Sequence, residues 1–294
     1  MGTTGRDTPL PMPKELCIIH ANCQGDPLRA LLMLHPQFGS RFEVVKYTNY
    51  LRETIPQGQL ESCSLFLYQP LGDKWDDHAS RALLERVNPR ATCLPIPNLL
   101  FKGYWPFWTN RSSMDFGDFF LDHLVDMGLE MREILHVCLR TDLTAKFDLA
   151  AMFAESVAHE RRKEEGCPVQ TVDLVLEHCC TERLFNTINH PNRRLVLHVA
   201  QGMLAVLGFA PLPAVLESAF SDPYPEFELP IHPQVAAFHG FAFGGEGAQF
   251  NVFGTLRTYE EYVALYVHCR MHGIHDFAGF LHLVDPSVFS PANG

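Results

Sequence analysis

One stretch near the beginning of the chain, residues 16–34, most constrains the fold. Leu16–His20 is a short apolar run of the kind that forms a buried strand, and small and polar residues interrupt it at 21–25. Asp26 is a candidate helix cap, Pro27 suits the first helical position, and leucines then recur at helical spacing. A strand, a tight turn and a helix in this order predict a reactive side chain at the carboxyl edge of a parallel sheet.

Cys23 lies in this turn, where the helix N-terminus offers unpaired N–H groups and the positive end of the helix dipole. That field lowers the pKa of a thiol, so Cys23 is a candidate nucleophile. Asn22 and Gln24 flank it, and their amides are poor core formers but good hydrogen-bond donors to an oxyanion. The alternative interpretation is a small buried residue, which is the usual role of a lone cysteine after a strand.

The composition narrows the class of protein. Hydrophobic residues make up 47% of the 294 residues and charged residues 19%, as in a chain that forms a core. The formal net charge of −11 argues against a general nucleic-acid-binding protein, although it leaves room for a local basic pocket. The nine cysteines form no CxxC pair, and neither a signal peptide nor a membrane-length apolar run is present. These features predict reduced thiols and a cytoplasmic protein.

The pattern along the chain predicts an α/β fold. Three more strands are predicted by short apolar runs, at 42–47, 63–68 and 91–96. Helical patterns separate them, which implies right-handed crossovers and a parallel sheet. We therefore predict a tail at 1–14 that is disordered or derived from an expression vector, and a parallel sheet with flanking helices at 15–112. A helix-rich C-terminal half at 113–294 is expected to pack on the sheet and complete the site.

Two further segments contain candidate site residues. Residues 97–108 are unusually aromatic, which is typical either of a loop packed over the sheet edge or of a wall that stacks on a flat or sugar-like ligand. His190 lies between Asn189 and Pro191, in an expected turn before a helix that begins at Pro191. We expect this histidine to be exposed and to act as a general base for a nucleophile from another loop. A surface or helix-capping histidine is the alternative.

Basic residues indicate where a phosphate group would bind. Arg193 and Arg194 lie at the predicted helix start, which favours phosphate binding. The other candidates for a local positive pocket are Lys102, Arg111, Arg140 and Lys146. The sequence contains fifteen histidines but no HExxH or similar ligand pair, so no metal site is predicted.

Five segments, in order from residue 16 to about 270, resemble the WcbI-type capsular polysaccharide biosynthesis proteins. They are the strand with His20–Gln24, and the segments Pro97–Pro106, Arg140–Asp142, Leu184–Pro191 and Thr258–Tyr266. The Asn-Cys-Gln and Asn-His-Pro pieces are the more specific ones. Members of the family more often have glycine before Asn-Cys-Gln, where this chain has Ala21, and alanine fits most tight turns that do not need a positive φ.

The resemblance implies a coenzyme A-binding protein, an acetyltransferase that uses acetyl-CoA and acts on a sugar of a capsular or exopolysaccharide. It also implies a distant likeness to SGNH-type esterases, in which Cys23 stands where those enzymes use serine and Asn98 matches their oxyanion asparagine. The Asp-x-x-His block of those esterases is absent, and His190 lies in Asn-His-Pro instead.

On this hypothesis the residues of the site fall into two sets. The catalytic residues are Cys23, His190, Asn22, Gln24 and Asn98. The coenzyme ligands are Lys102, Tyr104, Arg111, Arg140, Arg193 and Arg194. Two other hypotheses stay open: an esterase that removes acyl groups from a glycan, and a non-catalytic module that binds a nucleotide or a sugar.

Overall fold

The computed structural model describes residues 13–284 and is a mixed α/β structure. The predicted tail at 1–14 therefore lies, apart from Pro13 and Lys14, outside the described residues. The chain forms two compact units. Of the described residues, the first unit comprises 13–97, Gly166–Val169 and Val199–Ala219, and the second comprises Asn98–Glu165, Gln170–His198 and 220–284.

A four-stranded parallel sheet organises the first unit and confirms the predicted fold class. Its strands are β1 (Glu15–Ala21), β2 (Phe42–Thr48), β3 (Leu65–Tyr68) and β4 (Thr92–Pro95), in the order β2-β1-β3-β4. Because β2 lies on one side of β1 and β3 on the other, the direction of winding reverses at the carboxyl end of β1. Ligands of open parallel sheets bind at such a switch point.

Helices form the larger part of the regular structure in residues 13–284. In chain order they are α1 (Gly25–Leu34), α2 (Pro36–Arg41), α3 (Gln57–Ser62), α4 (Ser80–Leu84), α5 (Phe119–Asp126), α6 (Met131–Arg140), α7 (Leu149–Glu164), α8 (Val172–His178), α9 (Arg193–Val206), α10 (Ala214–Ala219), α11 (Pro233–His239), α12 (Tyr259–Met271) and α13 (Phe277–Leu283). Short 3-10 helices lie at Asp73–His78 and Leu143–Ala145. Most of these helices follow residue 113, as predicted for the C-terminal half.

The core of the first unit forms around the strands. Residues Cys17–Ile19 of β1 are fully buried, as expected for a strand covered on both faces. Ile18 packs with Leu60 of α3, Phe66 of β3 and Leu83 of α4 in one apolar cluster. This cluster fixes β1 and β3 side by side, and thereby sets where their carboxyl ends meet.

The second unit is mainly helical and contains two small antiparallel hairpins. These pair β5 (Phe185–Thr187) with β6 (His190–Pro191), and β7 (Gln249–Val252) with β8 (Thr255–Thr258). Thr258 caps α12 in a capping box: its hydroxyl accepts from the Glu261 N–H, and the Glu261 carboxylate accepts from the Thr258 N–H. Most of α12 is buried, which makes it the central helix of this unit.

Candidate functional site

The turn at Asn22–Gln24 connects the buried end of β1 to α1. The Gly25 N–H donates to the Asn22 carbonyl at 3.0 Å, and the Asp26 N–H donates to the Cys23 carbonyl at 3.2 Å. A Cβ at Gly25 would lie 3.0 Å from Ala21 Cβ, which is tighter than most such contacts, so a glycine lets the helix start this close to the strand without displacing β1. Ala21 itself belongs to extended β1, which is why alanine is accommodated there.

The start of α1 corrects one prediction. The N-cap is Gln24 rather than Asp26, and the helix begins at Gly25. Asp26 lies in the first turn and pairs with Lys46 of β2 at 2.7 Å. Pro27 is tolerated in the same turn because its missing N–H would have had no partner within the helix.

Gln69, which follows β3, joins both amides of the turn in one network. Its Oε1 accepts from the Asn22 backbone N–H at 2.8 Å and from Asn49 Nδ2 at 3.2 Å. Its Nε2 donates to Asn22 Oδ1 at 3.3 Å and to Gln24 Oε1 at 3.1 Å. Sequence reasoning did not single out Gln69 or Asn49 as site residues.

Two main-chain donors determine which way these amides point. The Asn22 N–H can only donate, so the atom of Gln69 that faces it is the oxygen. The Gln24 N–H donates to Asn22 Oδ1 at 2.9 Å, which fixes the amide of Asn22 in the same way. The turn therefore has defined hydrogen-bond polarity, with the side-chain oxygens of Asn22 and Gln24 directed at Gln69.

Cys23 is half-buried in this turn. All nine cysteines lie within the described residues, where none forms a disulfide, and Cys180 is exposed. Burial raises the pKa of the thiols of Cys138 and Cys179 to about 12 and that of Cys269 to about 11. A raised thiol pKa reduces the thiolate fraction, so these three cysteines are poor nucleophiles.

His20, at the end of β1, is a buried titratable residue that sequence reasoning did not assign to the site. It is fully buried, and neither ring nitrogen has a hydrogen-bond partner within residues 13–284. Its ring stacks on that of His78 with 6.2 Å between centroids. Burial, with His78 as a second cause, lowers the pKa of His20 to about 4, so the ring is neutral at pH 7.

In the second unit, His190 is half-buried rather than exposed as predicted. It begins β6 directly after the turn at 188–189, and Pro191 lies in the same strand, so the following helix begins at Arg193 instead. The ring stacks on Tyr224 with 4.2 Å between centroids and 10° between planes. Sequence reasoning missed this partner because Tyr224 lies 34 residues further along the chain, outside the motif that contains His190.

The environment of His190 keeps the imidazole neutral. Burial lowers the pKa of His190, and the charge of Glu226 opposes this shift. Nδ1 is buried and has no hydrogen-bond partner among the described residues. A neutral ring with an uncommitted nitrogen has the protonation state that a general base requires.

The aromatic segment at 97–108 divides into a packed part and one half-exposed ring. Its buried members are Phe101, Tyr104, Trp105 and Phe107. Tyr104 is fully buried: its hydroxyl accepts from the Leu184 N–H at 3.3 Å and lies 3.1 Å from the carbonyls of Cys179 and Glu182. Packing thus explains Tyr104, which had been proposed as a coenzyme ligand, whereas Trp108 remains half-exposed.

Two predicted coenzyme ligands, Lys102 and Arg111, line one open cleft of about 580 Å³ in the second unit. Lys102 Nζ lies 5.3 Å from the ring centroid of Trp108, which lines the same cleft. Burial lowers the pKa of Lys102, while the charge of Glu155 opposes the shift. The cleft thus presents two basic side chains and an indole ring on one surface.

Two carboxylates, Asp122 and Asp126, also line this cleft. Both pair with Arg270, at 3.1 and 3.0 Å. Asp122 also accepts from the Tyr266 hydroxyl at 2.8 Å. Arg270, Lys102 and Arg111 carry three positive charges against the two negative charges of these carboxylates, which leaves a formal excess of one positive charge.

The other predicted ligands lie elsewhere. Arg140 lines a different cleft of about 400 Å³, and Arg194 pairs with Glu182 at 2.7 Å. Arg193 donates from Nε to the carbonyl of Phe220. The carbonyl of Asn98 accepts from Lys163 Nζ at 3.1 Å.

Two further properties concern the described part of the chain as a whole. Within residues 13–284, no group of three or more His, Cys, Asp or Glu side chains is arranged to hold a metal ion. None of the helices described there is both long and apolar enough to cross a membrane.

Comparisons with known proteins complete the description. Residues 16–212, about two thirds of the chain, match the family model of the polysaccharide biosynthesis enzyme WcbI. A solved structure described as WcbI, a novel polysaccharide biosynthesis enzyme, is similar with a TM-score of 0.73 and 18% identity, over 92% of this chain and 94% of that one. It is described as the native protein without the disulfide bond between coenzyme A and one of its cysteines. No curated protein matches the chain.

Proposed function

Because the chain belongs to the WcbI family of polysaccharide biosynthesis enzymes, we propose that it is a coenzyme A-dependent O-acetyltransferase. Its acceptor is a hydroxyl group of a polysaccharide or of a sugar precursor. The observation that carries the proposal is the half-buried Cys23 thiol in the turn at the switch point of the sheet, between two amides of fixed orientation. The similar structure is described as lacking a disulfide between coenzyme A and one of that protein's cysteines, and this mention of a coenzyme next to a cysteine motivates placing the coenzyme thiol near Cys23.

In the covalent route, the Cys23 sulfur attacks the carbonyl carbon of the acetyl group. A new carbon–sulfur bond forms, the bond to the coenzyme sulfur breaks, and free coenzyme A leaves with the proton that Cys23 gives up. The acceptor hydroxyl then attacks the acetyl carbon, and its proton passes to His190. The bond from that carbon to the Cys23 sulfur breaks, and His190 returns the proton to this sulfur. In direct transfer, His190 takes the hydroxyl proton and the hydroxyl oxygen attacks the acetyl carbon of acetyl-CoA. The bond from that carbon to the coenzyme sulfur breaks, and coenzyme A leaves as the thiol with the proton from His190.

Both routes develop negative charge on the acetyl oxygen, and amide donors stabilise such charge. The side-chain oxygens of Asn22 and Gln24 face Gln69, so we assign their amide nitrogens, with that of Asn98, to the oxyanion. A general base must be unprotonated before it accepts a proton, and the lowered pKa of His190 keeps its imidazole in that neutral form.

The coenzyme has anionic phosphate groups and a flat adenine ring, and the cleft of Lys102, Trp108 and Arg111 fits both. We assign Lys102 and Arg111 to the phosphates. Arg193 and Arg194 are weaker candidates, because each would have to exchange a carbonyl or carboxylate partner for a phosphate. Arg140 would serve only a part of the ligand that reaches its separate cleft.

The test combines coenzyme binding with acetyl transfer. We expect coenzyme A to raise the melting temperature of the wild-type protein, and acetyl-CoA to acetylate a sugar acceptor. Cys23→Ala should abolish the acyl-protein mass in the covalent route, whereas the matched control Cys180→Ala, at an exposed cysteine, should retain activity. Near-normal turnover by Cys23→Ala would exclude the covalent route, and deacetylation of a glycan without coenzyme A would replace the transferase with an esterase.

A further inference from the structure

We infer that Gln69 is a positioning residue, which holds the amides of Asn22 and Gln24 on either side of Cys23. This inference rests on the proposed function, because it concerns the same turn. It adds a residue from a second strand, outside the Asn-Cys-Gln segment itself. Gln69 is 1% exposed and directly follows β3, whose hydrogen bonds to β1 continue through the Gln69 N–H to the His20 carbonyl at 3.0 Å.

The carboxamide of Gln69 uses its whole hydrogen-bonding capacity on this edge. It accepts twice, from Asn22 N–H and Asn49 Nδ2, and donates twice, to Asn22 Oδ1 and Gln24 Oε1. These partners come from the carboxyl ends of β1 and β2 and from the start of α1. One buried side chain therefore ties together three elements that meet at Cys23.

Only a carboxamide of this length can both accept from the Asn22 N–H and Asn49 and donate to the side-chain oxygens of Asn22 and Gln24. Glutamate at this position would present two acceptors to the two side-chain oxygens, and a hydrocarbon would deprive the half-buried Asn22 N–H of the Gln69 acceptor. A rotation of the Gln24 side-chain amide by about 180° would remove the repulsion between its oxygen and the new carboxylate, because the amide nitrogen would then face the carboxylate. Asn22 resists the same rotation, because its oxygen already accepts from the Gln24 N–H.

The expected consequence of Gln69→Glu is therefore specific. Gln24 would turn its amide nitrogen towards the new carboxylate and its oxygen towards the other side. A donor assigned to the oxyanion becomes an acceptor, while the backbone of the turn keeps its own bonds. Loss of one such donor lowers kcat by about 100-fold or more. The affinity for acetyl-CoA is retained, because the residues that bind the rest of the coenzyme lie away from this turn.

The experiment compares Gln69→Glu with Gln59→Glu in the full chain. Gln59 is a half-buried glutamine in α3 whose Oε1 accepts from the Tyr47 hydroxyl at 2.7 Å, and a carboxylate accepts the same bond. The readouts are kcat and KM for acetyl-CoA, the melting temperature, and the pH midpoint of alkylation of Cys23 by iodoacetamide, followed by peptide mass spectrometry. Alkylation does not require the enzyme to be a transferase.

We expect kcat of Gln69→Glu to fall by about 100-fold with KM changed by less than about threefold, and the alkylation midpoint to rise. Activity relative to the wild type should recover as the pH falls, because a protonated carboxyl regains one donor. Gln59→Glu should change none of these.

A Gln69→Glu variant with a lower melting temperature but unchanged kcat and alkylation midpoint would overturn the inference and leave Gln69 a purely structural role. A wild-type protein without acetyl transfer would overturn the proposed function. In that case a raised alkylation midpoint in Gln69→Glu would still support the positioning role, and an unchanged one would overturn it.

Discussion

Arg183 provides the strongest stability test of the second unit. Its side chain is 10% exposed, and Nη2 donates to the carbonyls of Asn186 at 3.1 Å and Leu229 at 2.7 Å. The guanidinium also lies over Trp105 and within 4.0 Å of a Glu228 oxygen. Burial lowers the pKa of Arg183 to about 10, so the group is charged at pH 7. Because Asn186 belongs to β5, Arg183 supports the hairpin that contains His190.

The expected cost follows from these contacts. Arg183→Met keeps much of the apolar stem but removes two charge-assisted hydrogen bonds, each of roughly 1.5–3 kcal/mol. The carbonyls of Asn186 and Leu229 keep a second donor, the Leu229 N–H and Trp105 Nε1, so we expect a loss of about 3–5 kcal/mol in the free energy of unfolding from the two bonds alone. A lowering of the melting temperature by roughly 10 °C corresponds to that loss in a unit of this size. Arg183→Lys should fall between the wild type and Arg183→Met, because an ammonium group lacks the planar fork.

The assay is urea and thermal denaturation followed by circular dichroism. Arg194→Met is the matched control, since its pair with Glu182 is largely exposed and is worth about 0–1 kcal/mol. If Arg183→Met destabilised the protein no more than Arg194→Met does, the two hydrogen bonds from Arg183 to main-chain carbonyls would make no net contribution to the free energy of unfolding. The argument that Arg183 supports the β5–β6 hairpin would then fail.

Three further predictions concern single groups. Tyr104→Phe should lower the free energy of unfolding by about 1–2 kcal/mol in urea denaturation while leaving the Kd for coenzyme A unchanged by calorimetry, and a weaker Kd would reinstate Tyr104 as a ligand. Burial lowers the pKa of His190 and the charge of Glu226 opposes this shift, so the acid limb of the pH profile of kcat/KM should lie below pH 6.5. Glu226→Gln should move this limb to still lower pH, and a move to higher pH would refute the assignment of His190 as the base. His20 has a pKa of about 4 when folded and about 6.5 when unfolded, so the unfolded chain binds more protons between these values and stability is lost as the pH falls through this window. Between pH 7 and pH 5 this group should account for a loss of roughly 2 kcal/mol, which His20→Leu should remove, and an equal pH dependence in both proteins would contradict the buried neutral ring.

The parts of the fold that could be predicted depend on short-range patterns. The apolar run at 16–20 specifies a strand because consecutive residues must be buried on both faces of a parallel sheet. The start of α1 was wrong by two residues because the carboxylate of Asp26 has a partner in β2, so it is not used as a cap. Lys46, that partner, is 20 residues away, and no local pattern reports such a pairing.

The same limit explains which site residues were found. Asn22, Cys23 and Gln24 could be found because they are adjacent and interrupt an apolar run, whereas Gln69 contacts them from 47 residues away. A glutamine after a predicted strand has the same local pattern as any strand-ending polar residue, and only the order β2-β1-β3-β4 brings it beside the turn. The aromatic segment is contiguous, but its residue types favour packing and ligand stacking equally. The structure distinguishes the two roles: Tyr104 and Phe107 are buried by packing, whereas the half-exposed Trp108 lines a cleft. Chemistry that resides in a contiguous motif can thus be predicted from sequence, but the side chains that orient the motif come from neighbouring strands, and their identification requires the topology.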